Sequence, residues 1–358
     1  MPWNPGTATG LGPLPGGDPL EAARIAFSEL PLPFLPELPA RGVGADPVGR
    51  TAGLLADLHV EVGTGVWRFV ARGGRDEQRA RTALSTDLDA MEEVAAGHAG
   101  PLKLRIVGPW TLAASIELGR GEKALADPGA VRDIAVSLAE GVTRHLADIR
   151  RRLPKVTRLV LQVDEPLMPA VLAGELATAS GWGRIRIYES SVVEDGLRQV
   201  LGSLPRATAQ STVERDRETE QDSVGSDDLA GVWLGGARLE SALLRQAGAG
   251  FIGLDGAVLD TVDEDEIGET IDTGVALLVA CVPLEAQRND PRPVMAPVTS
   301  LWKRLSFPVD ELSRTVAITP VEGLERLERL DSTAVAAVLK RTVAAARYLD
   351  EFAAEETS

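Results

Sequence analysis

The sequence predicts an α/β fold, a single (β/α)8 TIM barrel that takes in residues 1–358 as one domain. Short apolar runs typical of buried strands alternate with segments of helical periodicity, and this alternation favours βαβ units and a parallel sheet. About eight such strand candidates fit a closed barrel. An open doubly wound sheet is the alternative, but no G-x-G-x-x-G motif follows the first strand candidate, which makes that sheet less favoured.

The N-terminal part of the chain contains a weak first strand at residues 7–12. Asp18 is a candidate N-cap, with a proline at the first helical position after it. The spacing of apolar residues predicts helices at residues 19–30, 50–58 and 76–96. Residues 60–70 are predicted to form a hairpin around a Gly-Thr-Gly turn.

Clearer elements follow from residue 102 onward. Apolar runs predict strands at residues 102–107, 158–163, 250–254, 275–282 and 315–318. Helical periodicity predicts helices at residues 127–153, 192–201 and 332–353. Residues 207–231 break the pattern, because they contain seven acidic residues and almost no large apolar side chain. This composition predicts a polar, flexible loop where a barrel would place its fifth strand and the loop that follows it.

The composition excludes several classes of protein. A single cysteine, Cys281, rules out an internal disulfide and any zinc site built from two thiolates of one chain. The formal net charge of -16 argues against broad binding to nucleic acid or to an anionic membrane surface. No uncharged apolar run reaches the roughly 18 residues of a transmembrane helix, and the N-terminus lacks a basic and apolar leader. We therefore expect a cytoplasmic protein.

Reactive residues of a barrel lie where its strands end, and one strand end here is distinctive. The strand at residues 158–163 runs into the sequence Q-V-D-E-P at residues 162–166. Asp164 follows Gln162 on the same face by the two-residue period of a strand, and a buried carboxylate needs a partner. A substrate ammonium or a protonated ring nitrogen would be a suitable partner for this carboxylate. The alternative is structural, with Asp164 as a helix N-cap ahead of Pro166.

Three other strand ends carry weaker signals. The glycines around Leu11 and Gly12 would let a ligand approach the backbone, or would simply form a turn. Trp110 would form a flat wall for a ring, or fill the core at a strand end. Glu322 would point into the barrel mouth, or lie in a solvated loop.

The remaining titratable candidates are expected to have structural rather than catalytic roles. His145 is expected on a helix surface and His98 in an exposed turn. His59 precedes Glu61, and the Glu61 carboxylate could reach a strand end and is therefore a candidate site residue. Cys281 lies inside an apolar strand, where a free cysteine behaves as a small hydrophobic residue.

Four motifs resemble the cobalamin-independent methionine synthase family, and in particular its short single-barrel actinobacterial members. They are T-G-L-G-P-L-P at residues 9–15, G-P-W-T-L at 108–112, Q-V-D-E-P at 162–166 and T-P-V-E-G-L at 319–324. The resemblance implies a (β/α)8 barrel that is also related to uroporphyrinogen decarboxylase. It further implies methyl transfer from a methyltetrahydrofolate to the thiol of homocysteine, which a bound zinc ion converts to a thiolate.

The same resemblance assigns roles to several residues. Asp164, within its Q-x-D-E-P motif and so beside Gln162 and Glu165, would hold the amino group of an amino-acid substrate. The backbone of residues 11–13, which includes Gly12, would meet the substrate carboxylate. Glu61 would be a further contact of the amine, and Trp110 would lie near the folate.

The zinc ligands that the resemblance implies are missing. The family's His-x-Cys pair would fall within residues 205–236, which contain neither residue type. Asp255 stands where the family has a glutamate, and Glu322 stands where it has its last cysteine. The family's catalytic histidine is also absent, since Cys281 and Pro283 occupy that region. Two carboxylates cannot reproduce a thiolate-rich zinc site, so the sequence predicts a degenerate site and no metal.

Three functions stay open at this point. The first is a methyltransferase-like enzyme that acts on a small thiol or amino acid without zinc. The second is a metal-free decarboxylase or lyase that uses Asp164 and Glu165 as acid and base groups. The third is a non-catalytic protein that keeps an amino-acid pocket. Each predicts a small-molecule partner, an amino acid or a thiol with a folate as a further candidate, and none predicts nucleic acid or membrane.

Overall fold

The structure is a computed structural model that describes residues 2–204, 228–235, 239–259, 261–285, 290–321 and 330–356. Its strands are β1 (His59–Val62), β2 (Trp67–Val70), β3 (Pro101–Val107), β4 (Arg158–Asp164), β5 (Leu229–Trp233), β6 (Phe251–Asp255), β7 (Ala276–Val282) and β8 (Val316–Pro320). Its helices are α1 (Pro19–Glu29), α2 (Pro47–Ala52), α3 (Arg75–Ala95), α4 (Pro109–Ser115), α5 (Pro128–Arg152), α6 (Met168–Ala173), α7 (Ser190–Leu201), α8 (Ser241–Gln246), α9 (Glu264–Asp272), α10 (Arg292–Leu305), α11 (Leu312–Thr315) and α12 (Ser332–Glu356).

Six strands form one parallel sheet in the order β3-β4-β5-β6-β7-β8. Neighbours in the sheet are also neighbours in the chain and are joined through helices, which is the βαβ arrangement that the sequence predicts. The α/β class is confirmed, and the sheet curls like part of a barrel. The hairpin predicted at residues 60–70 is also confirmed, because β1 and β2 pair antiparallel with His59 opposite Val70.

Two short segments lie against the outer edges of this sheet. At one edge the Thr9 N–H donates to the carbonyl of Ile318 in β8 at 3.0 Å. At the other edge the N–H of Lys103 in β3 donates to the carbonyl of Pro33 at 2.8 Å. The two segments meet where the Leu32 N–H donates to the carbonyl of Ala8 at 3.2 Å. A chain of backbone hydrogen bonds therefore runs from β8 through residues 7–9 and 32–35 to β3.

Glycines on neighbouring strands make room for two aromatic rings on the inner face of the sheet. A Cβ at Gly231 would collide with the ring of Phe251, and one at Gly253 would collide with the ring of Trp233. Trp3 packs on Phe251 with the ring centroids 5.3 Å apart. Apolar residues thus fill much of the inner face that β5 to β8 provide, and buried Lys103, Gln162 and Asp164 make the part provided by β3 and β4 more polar.

Several helix predictions hold with small shifts at the ends. The Asp18 carboxylate accepts the Leu20 N–H at 2.9 Å and caps α1 as predicted. The long helix α5 begins after Asp127, whose side chain caps it in the same way. The helix predicted at residues 50–58 is largely wrong, because α2 covers Pro47–Ala52 and residues 53–58 form turns and bends before β1. None of the helices in the described ranges has the length and apolar content needed to cross a membrane.

The polar segment predicted at residues 207–231 falls almost entirely outside the described residues. Its last three residues, from Leu229, form the start of β5. These residues pair with β4 on one side and β6 on the other, so the strand begins earlier than the composition predicts. The carboxylate of Asp228, just before it, accepts the Leu159 N–H at 2.7 Å.

Candidate functional site

Asp164 ends β4 on the same face as Gln162, as the period of the strand predicts. Its Oδ1 accepts the Nε2 amide of Gln162 at 2.7 Å. Its Oδ2 accepts the Nε of Arg105 at 2.5 Å. Asp164 is buried, so it needs a partner, and here the chain itself supplies the positive charge from the neighbouring strand β3. A substrate ammonium at Asp164 stays a prediction, because it would have to share that carboxylate with Arg105.

Arg105 joins a second carboxylate to the first. Its Nη1 donates to Oε2 of Glu37 at 2.6 Å, while its Nε serves Asp164. The exposed fraction of these side chains is 9% for Arg105 and 4% for each carboxylate. Two carboxylates therefore flank one guanidinium almost out of contact with water, in a geometry that strengthens charge-assisted hydrogen bonds.

Lys103 lies two residues before Arg105 on the same strand and is completely buried. Its Nζ donates to Oε1 of Gln162 at 2.7 Å and lies 5.9 Å from the centroid of the Phe34 ring. Burial lowers the pKa of Lys103, because the charged ammonium is poorly solvated there. We call the residues Glu37, Lys103, Arg105, Gln162 and Asp164 the interior charge cluster.

The interior charge cluster balances two potential cations against two potential anions. Burial raises the pKa of the Asp164 carboxyl, against the opposing influence of Arg105. A carboxyl in such surroundings exchanges protons closer to neutral pH than an exposed aspartate does. The cluster can therefore hold opposite charges or shift a proton among them.

Glu165 points away from the cluster and holds the start of a helix. Its Oε1 accepts the Trp110 N–H at 2.9 Å, and its Oε2 accepts the N–H and the hydroxyl of Thr111, each at 2.7 Å. These are first-turn donors of α4, which has no N-cap side chain of its own. Burial raises the pKa of Glu165 to about 7, although its three donors favour the ionised form. The structural alternative, in which Asp164 caps the helix that follows it, is wrong, since α6 has no side-chain cap; Glu165 instead holds the first turn of α4, earlier in the chain.

The glycines near residue 11 serve packing inside the protein. Gly12 has φ +133°, and a Cβ there would lie 2.7 Å from Cδ of Arg105. A Cβ at Gly10 would collide with the ring of Phe34. Leu11 between them belongs to the buried apolar group on the inner face. The predicted backbone contact with a substrate carboxylate stays a prediction, but Gly12 does adjoin Arg105.

Two other predicted site residues have partners elsewhere in the structure. Trp110 is buried in the first turn of α4, and its Nε1 donates to the carbonyl of Val193 at 3.0 Å. Glu61 forms an ion pair with Arg68 of the same hairpin at 2.6 Å. The structure therefore brings Gln162, Asp164 and the backbone at Gly12 around Arg105, whereas Trp110 and Glu61 bond to other parts of the described chain.

Of the two carboxylates at the degenerate metal-site positions, only Asp255 lies within the described residues. Asp255 ends β6, and its Oδ1 accepts the Ala257 N–H at 2.8 Å. Cys281 is close by on β7, where burial and the Asp255 charge raise the pKa of its thiol. Glu322 lies outside the described residues. Within the described ranges, no three His, Cys, Asp or Glu side chains are placed to hold a metal ion.

The three histidines are engaged far from one another in the chain. His59 lies 3.1 Å from a carboxylate oxygen of Glu77, and His98 lies 2.9 Å from the carbonyl of Pro101. His145 is buried within α5, so its predicted position on the surface is wrong. The helix face that bears His145 packs inward along with Val142 and Ile149. The described residues therefore bring no set of imidazole and thiol donors together in the way that zinc prefers.

Sequence reasoning missed Glu37, Lys103 and Arg105. A signal for two of them is present, because β3 reads L-K-L-R-I-V with cations at alternate positions of an apolar strand. The two-residue period places both on one face. Glu37 comes from a Pro-rich stretch that is remote in sequence, and nothing local marks it.

Comparisons with known proteins add little to this geometry. No protein-family model matches the chain, and no curated protein matches it. Among solved structures, the chain is similar to a B12-independent methionine synthase from Shewanella sp. W3-18-1, determined in complex with selenomethionine. The identity is 10%, the match covers 81% of this chain and 72% of that chain, and the TM-score is 0.47. A likeness this distant carries no argument about function, so the site must be interpreted from its own residues.

Proposed function

We propose that this chain is a methionine synthase-like TIM barrel whose interior charge cluster binds a small α-amino acid without the help of zinc. One observation carries the proposal: the carboxylates of Glu37 and Asp164 converge on the guanidinium of Arg105 at the end of β4. This places both signs of charge within the reach of one small molecule.

An α-amino acid carries the complementary pair of charges. A guanidinium binds a carboxylate through parallel N–H donors, and carboxylates accept the N–H groups of an ammonium. A bound amino acid would exchange the internal ion pairs of Arg105 for pairs with its own two charged groups. The low exposure of the cluster makes each such pair stronger than it would be in water.

The order of the motifs supports the barrel part of the proposal. Residues 7–9 and 32–35 lie where the first two strands of a barrel would complete the sheet between β8 and β3. The four motifs shared with the methionine synthase family follow one another along the chain. In a closed barrel, the loop at residues 10–13 and the end of β4 would then share one rim.

Methyl transfer is the reaction that the resemblance implies, from a methyltetrahydrofolate to homocysteine. The described residues offer no zinc site for thiol activation, so the proposed function contains no step through a metal. What the chain does supply is binding and orientation of the amino-acid portion by Glu37, Arg105 and Asp164. Non-catalytic amino-acid binding fits the same geometry.

Acid–base chemistry of a decarboxylase or lyase is the second candidate, and the raised pKa of Asp164 favours it. An acid or base works best when its pKa lies near the operating pH. Asp164 would act alone, because the Glu165 carboxylate is committed to the first turn of α4. This makes the two-carboxylate version of the reaction less favoured than it is from the sequence.

Titration calorimetry with L-methionine and L-homocysteine tests the proposal. We expect saturable binding with a Kd below about 1 mM. The analogues 3-(methylthio)propylamine and 4-(methylthio)butyrate each lack one charge, and we expect each to bind at least about tenfold more weakly. Equal binding of the amine and the amino acid would overturn the role of Arg105. As a matched pair of variants, R105M should lose binding and R314M, which alters an exposed arginine of α11, should keep it.

Metal analysis of the purified protein tests the zinc-free part separately. We expect no stoichiometric zinc and no change of Tm on treatment with EDTA. One zinc ion per chain, with a Tm that falls when EDTA removes it, would refute the zinc-free interpretation and leave amino-acid binding untouched. Formation of methionine from homocysteine and a methyltetrahydrofolate would select methyl transfer over the other two functions.

A further inference from the structure

A cavity of about 710 Å³ lies on the helical side of the sheet, between α5 and α7. Its volume falls in the range of small-molecule sites, roughly 300–1,000 Å³. It is distinct from the interior charge cluster, because none of the five cluster residues lines it. Amino-acid binding at the cluster does not use this cavity.

Two aromatic residues in fixed orientations form its inner end. The rings of Trp110 and Tyr188 meet edge to face with centroids 5.0 Å apart. The Tyr188 hydroxyl donates to the carbonyl of Leu125 at 2.6 Å, and the Trp110 indole N–H donates to the carbonyl of Val193. Both polar groups are therefore satisfied, and the surface they leave toward the cavity is apolar and rigid.

The walls are shaped by small and short side chains. Gly196 of α7 faces Trp110, where a Cβ would come within 3.2 Å of the indole Nε1. Ala135 of α5 and Gly202 after α7 also line the space. Val192 stands at the edge with 45% of its surface exposed. The two helices thus leave a slot between them that their side chains do not fill.

One positive charge on the rim has no acidic partner among the described residues. Arg132 lines the cavity, is exposed, and makes no hydrogen bond or ion pair with any residue of the described chain. Arg198 on the opposite helix is different, because it pairs with both Glu194 and Asp195. Arg198 is therefore shared between two carboxylates, while Arg132 remains available to an anion.

From this arrangement we propose that the slot between α5 and α7 binds a planar aromatic carboxylate. Its ring lies against Trp110 and Tyr188, and its carboxylate pairs with Arg132. An apolar pocket with a few polar groups at one side is the usual form of such a site, and a guanidinium matches a carboxylate in shape and charge.

Binding of 2-naphthoate, compared with 2-naphthalenemethanol as its neutral isostere, tests the proposal by titration calorimetry. We expect one saturable site that prefers the carboxylate by about tenfold, as one charge-assisted pair gives. R132E should abolish that preference, while R314E, which places the same charge change on α11, should leave it intact. Both positions are exposed, so both variants should keep the Tm of the parent protein.

Three outcomes would overturn the proposal. One is absence of saturable naphthoate binding at millimolar concentration. Another is equal affinity for the acid and the alcohol, which would make the slot merely apolar. The third is a dimer that R132E converts to a monomer, which would mean that a second copy of the chain covers the slot. A V192E variant adds an independent check, since a carboxylate at the edge should repel naphthoate without disturbing the fold.

Discussion

The guanidinium of Arg105 and the carboxylate of Asp164 form a buried ion pair across β3 and β4, with Nε and Oδ2 2.5 Å apart. The Cα partner of Arg105 in the ladder is Gln162, and Asp164 lies one inward position further along. The arginine side chain therefore reaches toward the strand end, where it also meets Glu37. Arg105 therefore holds the carboxylates of Glu37 and Asp164 close together.

Removal of the guanidinium should destabilise the fold strongly. R105M leaves Glu37 and Asp164 buried without their cation, and breaking a buried pair in this way costs about 3–5 kcal/mol. The free energy of unfolding in urea measures the loss. The triple variant R105M/E37Q/D164N should recover much of it, because no charge is then left unpaired. A loss below about 1 kcal/mol for R105M, as exposed pairs give, would contradict burial of the cluster.

The fold is more predictable from sequence than the cluster is. Strands β3, β4, β6 and β7 follow from apolar runs of local sequence, because a buried parallel strand needs such a run. The sequence indicates Asp164 as a candidate because it stands at the end of one such run. The sequence does not indicate that Arg105 and Glu37 would join it, since these two residues are 68 positions apart in the chain. Contacts over such separations depend on tertiary packing that local patterns do not encode.

Glu165 illustrates a second limit of the sequence. Two adjacent carboxylates at 164 and 165 appear equivalent as a motif, yet alternate side chains of a strand point to opposite faces. One reaches the interior charge cluster, and the other reaches Thr111 of α4. Which of them is structural depends on where the first turn of α4 lies, and the Trp110 N–H in that turn is 55 residues away from Glu165 in the chain.

Gly12 should tolerate no side chain. Its φ of +133° is strained for other residues, and an added Cβ would lie 2.7 Å from Cδ of Arg105. We expect G12A to reduce the free energy of unfolding by about 2 kcal/mol or more. Gly16 is the matched control, since it has φ +83° but nothing within 4 Å of an added Cβ. G16A should show only the backbone strain, and equal losses in both variants would refute the close approach to Arg105.

Replacement of Glu165 by glutamine should weaken α4 in a pH-dependent way. Glutamine keeps the size of the side chain but cannot exchange a proton, so E165Q should lack the pH dependence that Glu165 gives the parent protein. The folded-state pKa of Glu165 is raised from 4.5 to about 7. The stability it contributes is therefore complete below pH 4.5 and is lost as the pH rises through 7. The advantage of the parent protein over E165Q should be larger at pH 5 than at pH 8 in urea unfolding.

T111V serves as the control for that experiment. It removes the hydroxyl that donates to Glu165 Oε2 and leaves the two backbone donors. The expected loss is about 1 kcal/mol, and the decline of stability with rising pH should persist because the carboxyl is still present. A pH dependence that E165Q leaves unchanged would show that Glu165 does not titrate in this range.

His145 should make the protein sensitive to acid. Burial, together with the nearby Arg50 guanidinium, lowers the pKa of His145 from 6.5 to about 4. The unfolded chain therefore binds a proton first, and stability is lost as the pH falls from 6.5 through 4, by about 3 kcal/mol in total. Urea unfolding of H145Q between pH 7 and 4 should lack this component, whereas H98Q should retain it because His145 is still present. An imidazole of His145 that titrates near 6.5 by NMR would contradict its burial against Arg50.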